Sequence, residues 1–277
     1  MSYLMRIAAI TSVLLVSGCA GWPLVPVDQP LQAQSSVQAS AQVRQVLAPS
    51  GRLRVGVYPG SPTSWVRNPR TGESAGVALE LGQRLAQQLG VAVQVVEFAR
   101  VAEIIEALKT GQVDMTFTNA SPARARDVDF TMPLVQLELG LLVPAGSDIT
   151  TFAGADRAGV RIGVSQGSSS QSALGQRLQN ARVVPASSLE VAQQMLQAGQ
   201  MDAFATNKGI LFEMAEKLPG YRVLDDRWGL ESLAIAVPKG REAGRAFLQA
   251  FAEQVQARGD LKNMAERAGL RGMAKAP

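Results

Sequence analysis

The chain has 277 residues, 47% hydrophobic and 18% charged, which is enough apolar material for one large packed domain or two ordinary ones and too much for a disordered chain. A formal charge of +4, with no Lys/Arg run and no interleaved aromatics, leaves no nucleic-acid footprint. With no His and one Cys, His/Cys zinc sites, a Ser-His-Asp triad and an intrachain disulfide are excluded.

At the amino terminus Arg6 precedes an apolar run, Ile7 to Val16, that is too short for an ordinary transmembrane helix. The run ends in Val16-Ser17-Gly18-Cys19, which resembles a bacterial lipobox. That resemblance implies a lipoprotein signal peptide over residues 1–18 and lipid on Cys19, whose acyl chains would anchor the protein to a membrane. Ala20 stands where Asp often retains such proteins at the inner membrane of Gram-negative cells, which favours a periplasm-facing outer-membrane location. Residues 19–50, rich in Gln, Ser, Ala and Pro, read as a tether, with a helix expected from near Ala39 to before Pro49.

Beyond the tether, strands and helices alternate. LRVGV, VAVQVVEF and VDMTFTN read as strands, and GVALELGQRLAQQLG and VAEIIEALKTG as helices closed by Gly90 and Gly111. LELGLLVPAG reads as a strand leaving this unit at Pro144. The plan then repeats, with VRIGV, RVVPA, MDAFATN and YRVLDD as strands and SSSQSALGQRLQN, LEVAQQMLQAG and NKGILFEMAEKLPG as helices. ESLAIAVPKG runs back, and two helices, EAGRAFLQAFAEQVQARG and DLKNMAERAGL, close the chain. Two words recur in order. LRVGVYPGS matches VRIGVSQGS, and GQVDMTFTN matches GQMDAFATN, the mark of an internal duplication.

This pattern predicts an α/β fold of two lobes, each a mostly parallel sheet flanked by helices. The expected division is 51–143 plus 232–277 for the first lobe and 147–228 for the second, with crossings near Val143–Gly146 and Trp228–Ser232. Two lobes joined by two strands form a hinge over a cleft. Ligands of parallel sheets sit at the carboxyl ends of strands, where both repeated words end.

From Leu53 to Leu270 the sequence resembles the bacterial extracellular solute-binding proteins of family 3, the amino-acid-type periplasmic binding proteins. The resemblance is carried by GVALELGQRLAQQLGVAVQVVEF and by ALKTGQVDMTFTNASPARARDVDFTMPL. It implies a type II periplasmic-binding-protein fold, capture of a small carboxylate-bearing solute, and delivery to an ABC permease. No cofactor and no metal are expected, and a monomer is. Arg124 matches the Arg that binds the ligand carboxylate, a task suited to a planar fork of donors. Arg126 is the neighbouring alternative, and a surface ion pair with Asp127 or Asp129 is the plainer role for Arg124. Ser121, Asn119, Ser168 and Ser169 match further ligand-contact positions, although N-capping explains the two last serines equally well.

Asn207 stands where amino-acid binders of the family carry an ammonium-binding Asp, and the aligned positions near Ser61 and Val101 lack the aromatic that covers the ligand. Tyr58 or Trp65 is the available substitute. An amide cannot compensate a buried ammonium, so the expected ligand is a small anion or a carboxylate with a neutral polar group. Two alternatives share the fold. One is an enzyme resembling cyclohexadienyl dehydratase, which would need a general acid from among Glu73, Glu138, Asp225, Asp226 and Glu231. The other is a sensory ligand-binding protein.

Overall fold

The computed structural model describes residues 39–67 and 72–274. Cys19 and the leader therefore lie outside the described residues. Among the described residues no helix is long and apolar enough to cross a membrane.

The chain enters through α1 (Ala41–Leu47), capped by the Ser40 hydroxyl, and continues through β1 (Arg52–Val57), the short pair β2 (Val66–Arg67) and β3 (Ser74–Ala75), α2 (Val77–Leu89), β4 (Ala92–Glu97) and α3 (Val101–Lys109). Helix α2 forms because Val77, Leu81, Leu85 and Leu89 recur every fourth residue and bury one stripe, and Gly90 ends it in the left-handed conformation. Then follow β5 (Thr116–Asn119), α4 (Pro122–Ala125), β6 (Val128–Phe130) and β7 (Val135–Pro144). The second half runs through α5 (Phe152–Ala155), β8 (Arg161–Ser165), α6 (Ser169–Arg177), β9 (Arg182–Ala186), α7 (Leu189–Gln197), β10 (Ala203–Asn207), α8 (Lys208–Lys217) and β11 (Tyr221–Val223). Last come β12 (Gly229–Pro238), α9 (Glu242–Ala257) and α10 (Asp260–Arg267).

The expected parallel pairings are present, β1 with β4 in the first half and β8 with both β9 and β10 in the second. Two long strands add antiparallel ladders and join the halves through one eight-stranded sheet, from which β1 and β4 stand apart as a pair. Val135–Leu139 of β7 pairs with Gly229–Leu233 of β12. Beyond that shared ladder the strands part: β7 pairs with β10 and β11, whereas β12 pairs with β5 and β6. The hinge ladder therefore begins at Val135, earlier than the crossing expected near Val143–Gly146, because Leu139–Pro144 already pair in the second half.

Apolar cores form on both sides of this ladder. One gathers α1, α2, α9 and α10 around Leu53, Val55, Phe117 and Phe251. The second half is built on Ile162, Val164, Leu141 and Trp228, with Phe204, Leu211 and Met214 beneath its other face.

Two segments depart from the sequence expectation. Residues 39–50 are not tether but part of the body: Leu47 is almost wholly buried against Gly244 of α9, and Arg241 donates from Nη1 to the Leu47 carbonyl at 2.8 Å. The tail after α10, grouped by sequence with the first lobe, lies along the hinge and α8. The Glu138 amide donates to the Gly272 carbonyl and the Ala274 amide to the Gln136 carbonyl, both at 2.9 Å. Arg271 pairs with Glu216 and stacks over Phe212 of α8.

Candidate ligand-binding site

The repeated words fold into the same device twice. In the first half Asp114, whose side chain is fully buried, accepts from the Arg54 backbone amide and Nε at 2.9 Å each and from its Nη2 at 2.8 Å. In the second half Asp202 accepts the same three bonds from Arg161, at 2.8, 3.1 and 2.8 Å. Each Asp follows a helix that ends in a left-handed Gly, Gly111 at φ +68° and Gly199 at φ +65°. This clamp ties the start of a lobe's first strand to the turn feeding its ligand-end strand, so both Thr-Asn ends arrive at one place.

That place is a cavity between the halves with an empty volume of about 540 Å³, part of it open solvent. Its walls come from the carboxyl ends of β1, β5, β8 and β10, the first residues of α6, and the hinge strand β12. Arg124 faces it from α4. Only 9% of this residue is exposed, and its Nη1 donates to Thr118 Oγ1 at 2.7 Å and to the Asn119 carbonyl at 3.4 Å. Among the described residues its Nε and Nη2 carry no hydrogen bond and no carboxylate pairs with it. Burial lowers its pKa, opposed by the negative charge of Glu231 and by Tyr58, and a guanidinium stays protonated through such a shift. Arg126 is exposed, and Asp129 pairs with Lys239 and Arg245, so the alternatives raised for Arg124 do not arise.

Of the other residues singled out in sequence, Tyr58, Asn119, Ser168, Ser169 and Asn207 line the same cavity. Asn119 donates from Nδ2 to Ser169 Oγ at 3.2 Å, a bond from one half to the other. The Ser168 hydroxyl caps α6 by accepting from the Gln171 amide at 3.1 Å. Ser121, Ser61 and Trp65 are not brought to the cavity wall. Ser121 caps α4, Ser61 is buried with its hydroxyl 2.8 Å from that of Thr63, and Trp65 packs on the first core with Arg67 over its ring. Of the two aromatics offered by sequence, Tyr58 is thus the one that lines the cavity, where Phe117 joins it; burial raises the Tyr58 phenol above the usual value, with the neighbouring Ser61 hydroxyl opposing.

Sequence reasoning counted Glu231 only as one of five rim carboxylates open to the enzyme alternative, without a part in ligand binding. It lies on β12, is 8% exposed, lines the cavity, and accepts from Asn207 Nδ2 at 2.8 Å through Oε1. Burial pushes its carboxyl above the usual range, opposed first by the charge of Arg124 and then by the Asn207 bond. The signal was available. In LESLAIAVP, Glu231 is in phase with Leu233, Ile235 and Val237, the inward face of the strand. Arg100, at the start of α3, also lines the cavity, pairs with Glu103 and donates to the Ser187 carbonyl across the cleft at 3.2 Å.

Known proteins similar to this chain include solute-binding proteins. A glutamine-binding protein of Geobacillus stearothermophilus is 25% identical over 242 residues, 85% of this chain and 91% of that one. The ABC transporter glutamine-binding protein GlnH of Bacillus subtilis is 23% identical over 246 residues, 86% of each chain. A crystal structure of the ancestral amino acid-binding protein AncCDT-1, a precursor of cyclohexadienyl dehydratase, superposes with a TM-score of 0.70 at 25% identity, over 82% of this chain and 99% of that one. Residues 53–270 match the model of the bacterial extracellular solute-binding proteins, family 3, and the chain belongs to that family.

Proposed function

We propose that the protein is a membrane-tethered receptor that captures a small carboxylate-bearing solute between its lobes and presents it to an ABC permease. The observation that carries this reading is Arg124: a buried guanidinium, unpaired among the described residues, with donors left over toward a cavity at the strand ends. A carboxylate is the group that fits such a fork bidentately. The names of the relatives, which bind glutamine, support an amino-acid-like ligand and a binder rather than a dehydratase. The lobes proposed are the sequence division given above, adjusted so that β7 changes sides across Val135–Leu139 and residues 39–50 join the first lobe.

Calorimetric titration of the wild type and Arg124→Ala with amino acids and organic acids tests the reading. Loss of a desolvated, charge-assisted pair is expected to weaken binding by about 3–5 kcal/mol. Unchanged affinity would move the carboxylate site elsewhere. The tether rests on the Val16–Cys19 word. Cys19→Ser is expected to release the protein from the membrane fraction, and continued membrane association would remove Cys19 as the anchor.

A further inference from the structure

We infer that Gly60 and Gly167, the same place in the recurring word of each half, are the two seats on which the lobes close, each taking an apolar side chain from the start of a helix in the other half. The inference rests on capture between the lobes and is independent of which solute is captured.

LRVGVYPGS and VRIGVSQGS both end in Gly-Ser, just beyond the carboxyl end of β1 in one half and of β8 in the other. Both glycines are left-handed, Gly60 at φ +82° and Gly167 at φ +72°, so the turn alone accounts for the residue type. It does not account for what faces them. At left-handed glycines such as Gly51, Gly90 and Gly111 a Cβ would meet nothing within 4 Å. At Gly60 it would stand 3.3 Å from Leu189 Cδ1, and at Gly167 only 2.6 Å from Ala102 Cβ, too close for any side chain. Leu189 opens α7 in the second half, and Ala102 is the second residue of α3 in the first. Those helices are also counterparts, since each runs into a GQxD word. The contact is therefore reciprocal. The turn of each half receives the helix start of the other, as two copies of one surface do across a twofold interface.

Leu189 also seals the site. It is 5% exposed, and with Ala99 it lines both the ligand cavity and a wider hollow outside, whose empty volume of about 1150 Å³ includes open solvent. Seated on Gly60, it stands between the two. The Ser188 hydroxyl accepts from the Val191 amide at 3.1 Å and so starts α7 at this point, which fixes Leu189 at the rim. The Arg100–Ser187 bond crosses the same stretch of seam. Apolar faces that meet only when the lobes meet favour the closed form, and a wrong volume at either seat disfavours it.

Disulfide trapping tests the seats without a ligand. A Cβ on Gly60 would lie 3.7 Å from Leu189 Cβ, inside the roughly 3.5–4.5 Å that a disulfide spans. In the full chain carrying Cys19→Ser, Gly60→Cys with Leu189→Cys is expected to lose both thiols to an intramolecular bond under oxidised glutathione, read by thiol titration and non-reducing electrophoresis. Persistence of both thiols, with each single variant folded by circular dichroism, overturns the inference. Ala102→Trp adds bulk against Gly167 and is expected to weaken whichever common L-amino acid the wild type binds by about tenfold or more, with an unchanged circular dichroism spectrum. Unchanged affinity there overturns the second seat. Failure of the carboxylate reading shows separately, as equal binding by Arg124→Ala and wild type, and leaves the trapping result to decide the seats.

Discussion

Asp114 and Asp202 occupy the same place in the two copies of one word, yet their surroundings differ. Asp114 is fully buried and takes a further bond from Arg241 Nη2 at 2.8 Å, so two guanidinium groups depend on it. About a third of the Asp202 side chain is open to water. Removing the partner of a buried ion pair costs about 3–5 kcal/mol, whereas partly exposed pairs contribute about 1 kcal/mol or less. Asp114→Ala is therefore expected to lower the urea midpoint severely and Asp202→Ala only slightly; equal losses would contradict the burial argument. The words were legible in sequence because they are local, and their purpose was not, since each clamp joins residues 60 or 41 positions apart. Arg124 was named through the family resemblance of one local segment, and the fold puts it on the cavity wall. Glu231 was named only among the rim carboxylates, because its orientation follows from the ladder between β7 and β12, and Asn207 drew attention as the position lacking a charge.

At the scale of elements, the alternation of helical and strand periods located nearly every long segment, since apolar stripes such as Val101, Ile104, Ile105 and Leu108 of α3 leave little choice. The small pieces were missed: α4, β6 and the pair β2–β3 span at most 4 residues each and are held by their neighbours rather than by their own periodicity. The boundary between tether and body was misplaced for a related reason. Helix α1 has 7 residues, too few to be stable alone, and it exists because Leu47 fills a space that Gly244 leaves open. A Cβ on Gly244 would stand 2.5 Å from Leu47 Cδ2. Leu47→Ala is expected to cost about 2–5 kcal/mol in chemical denaturation. A cost near zero would return α1 to the tether.

For the whole molecule, the Asn119–Ser169 and Arg100–Ser187 bonds join the halves across the cavity, so the described arrangement is a closed one. Bonds made only on closure tighten binding by favouring the competent population. Ser169→Ala is expected to weaken amino-acid binding by up to about tenfold without altering the fold. Small-angle scattering should show the radius of gyration falling when the ligand is added, with a smaller fraction of Ser169→Ala compacted at equal ligand. An identical response in the two proteins would deny that bond a part in closure.

The pivot itself carries a third rail. Leu270–Ala274 is fastened to β7 by two backbone hydrogen bonds and sits so close to α8 that a Cβ on Gly209 would come within 2.6 Å of Leu270 Cδ1. Cargo attached within this segment, whether an affinity handle, a fluorophore or a surface linker, would hang from the axle rather than from either leaf. Reporters of opening belong on helices remote from that axle.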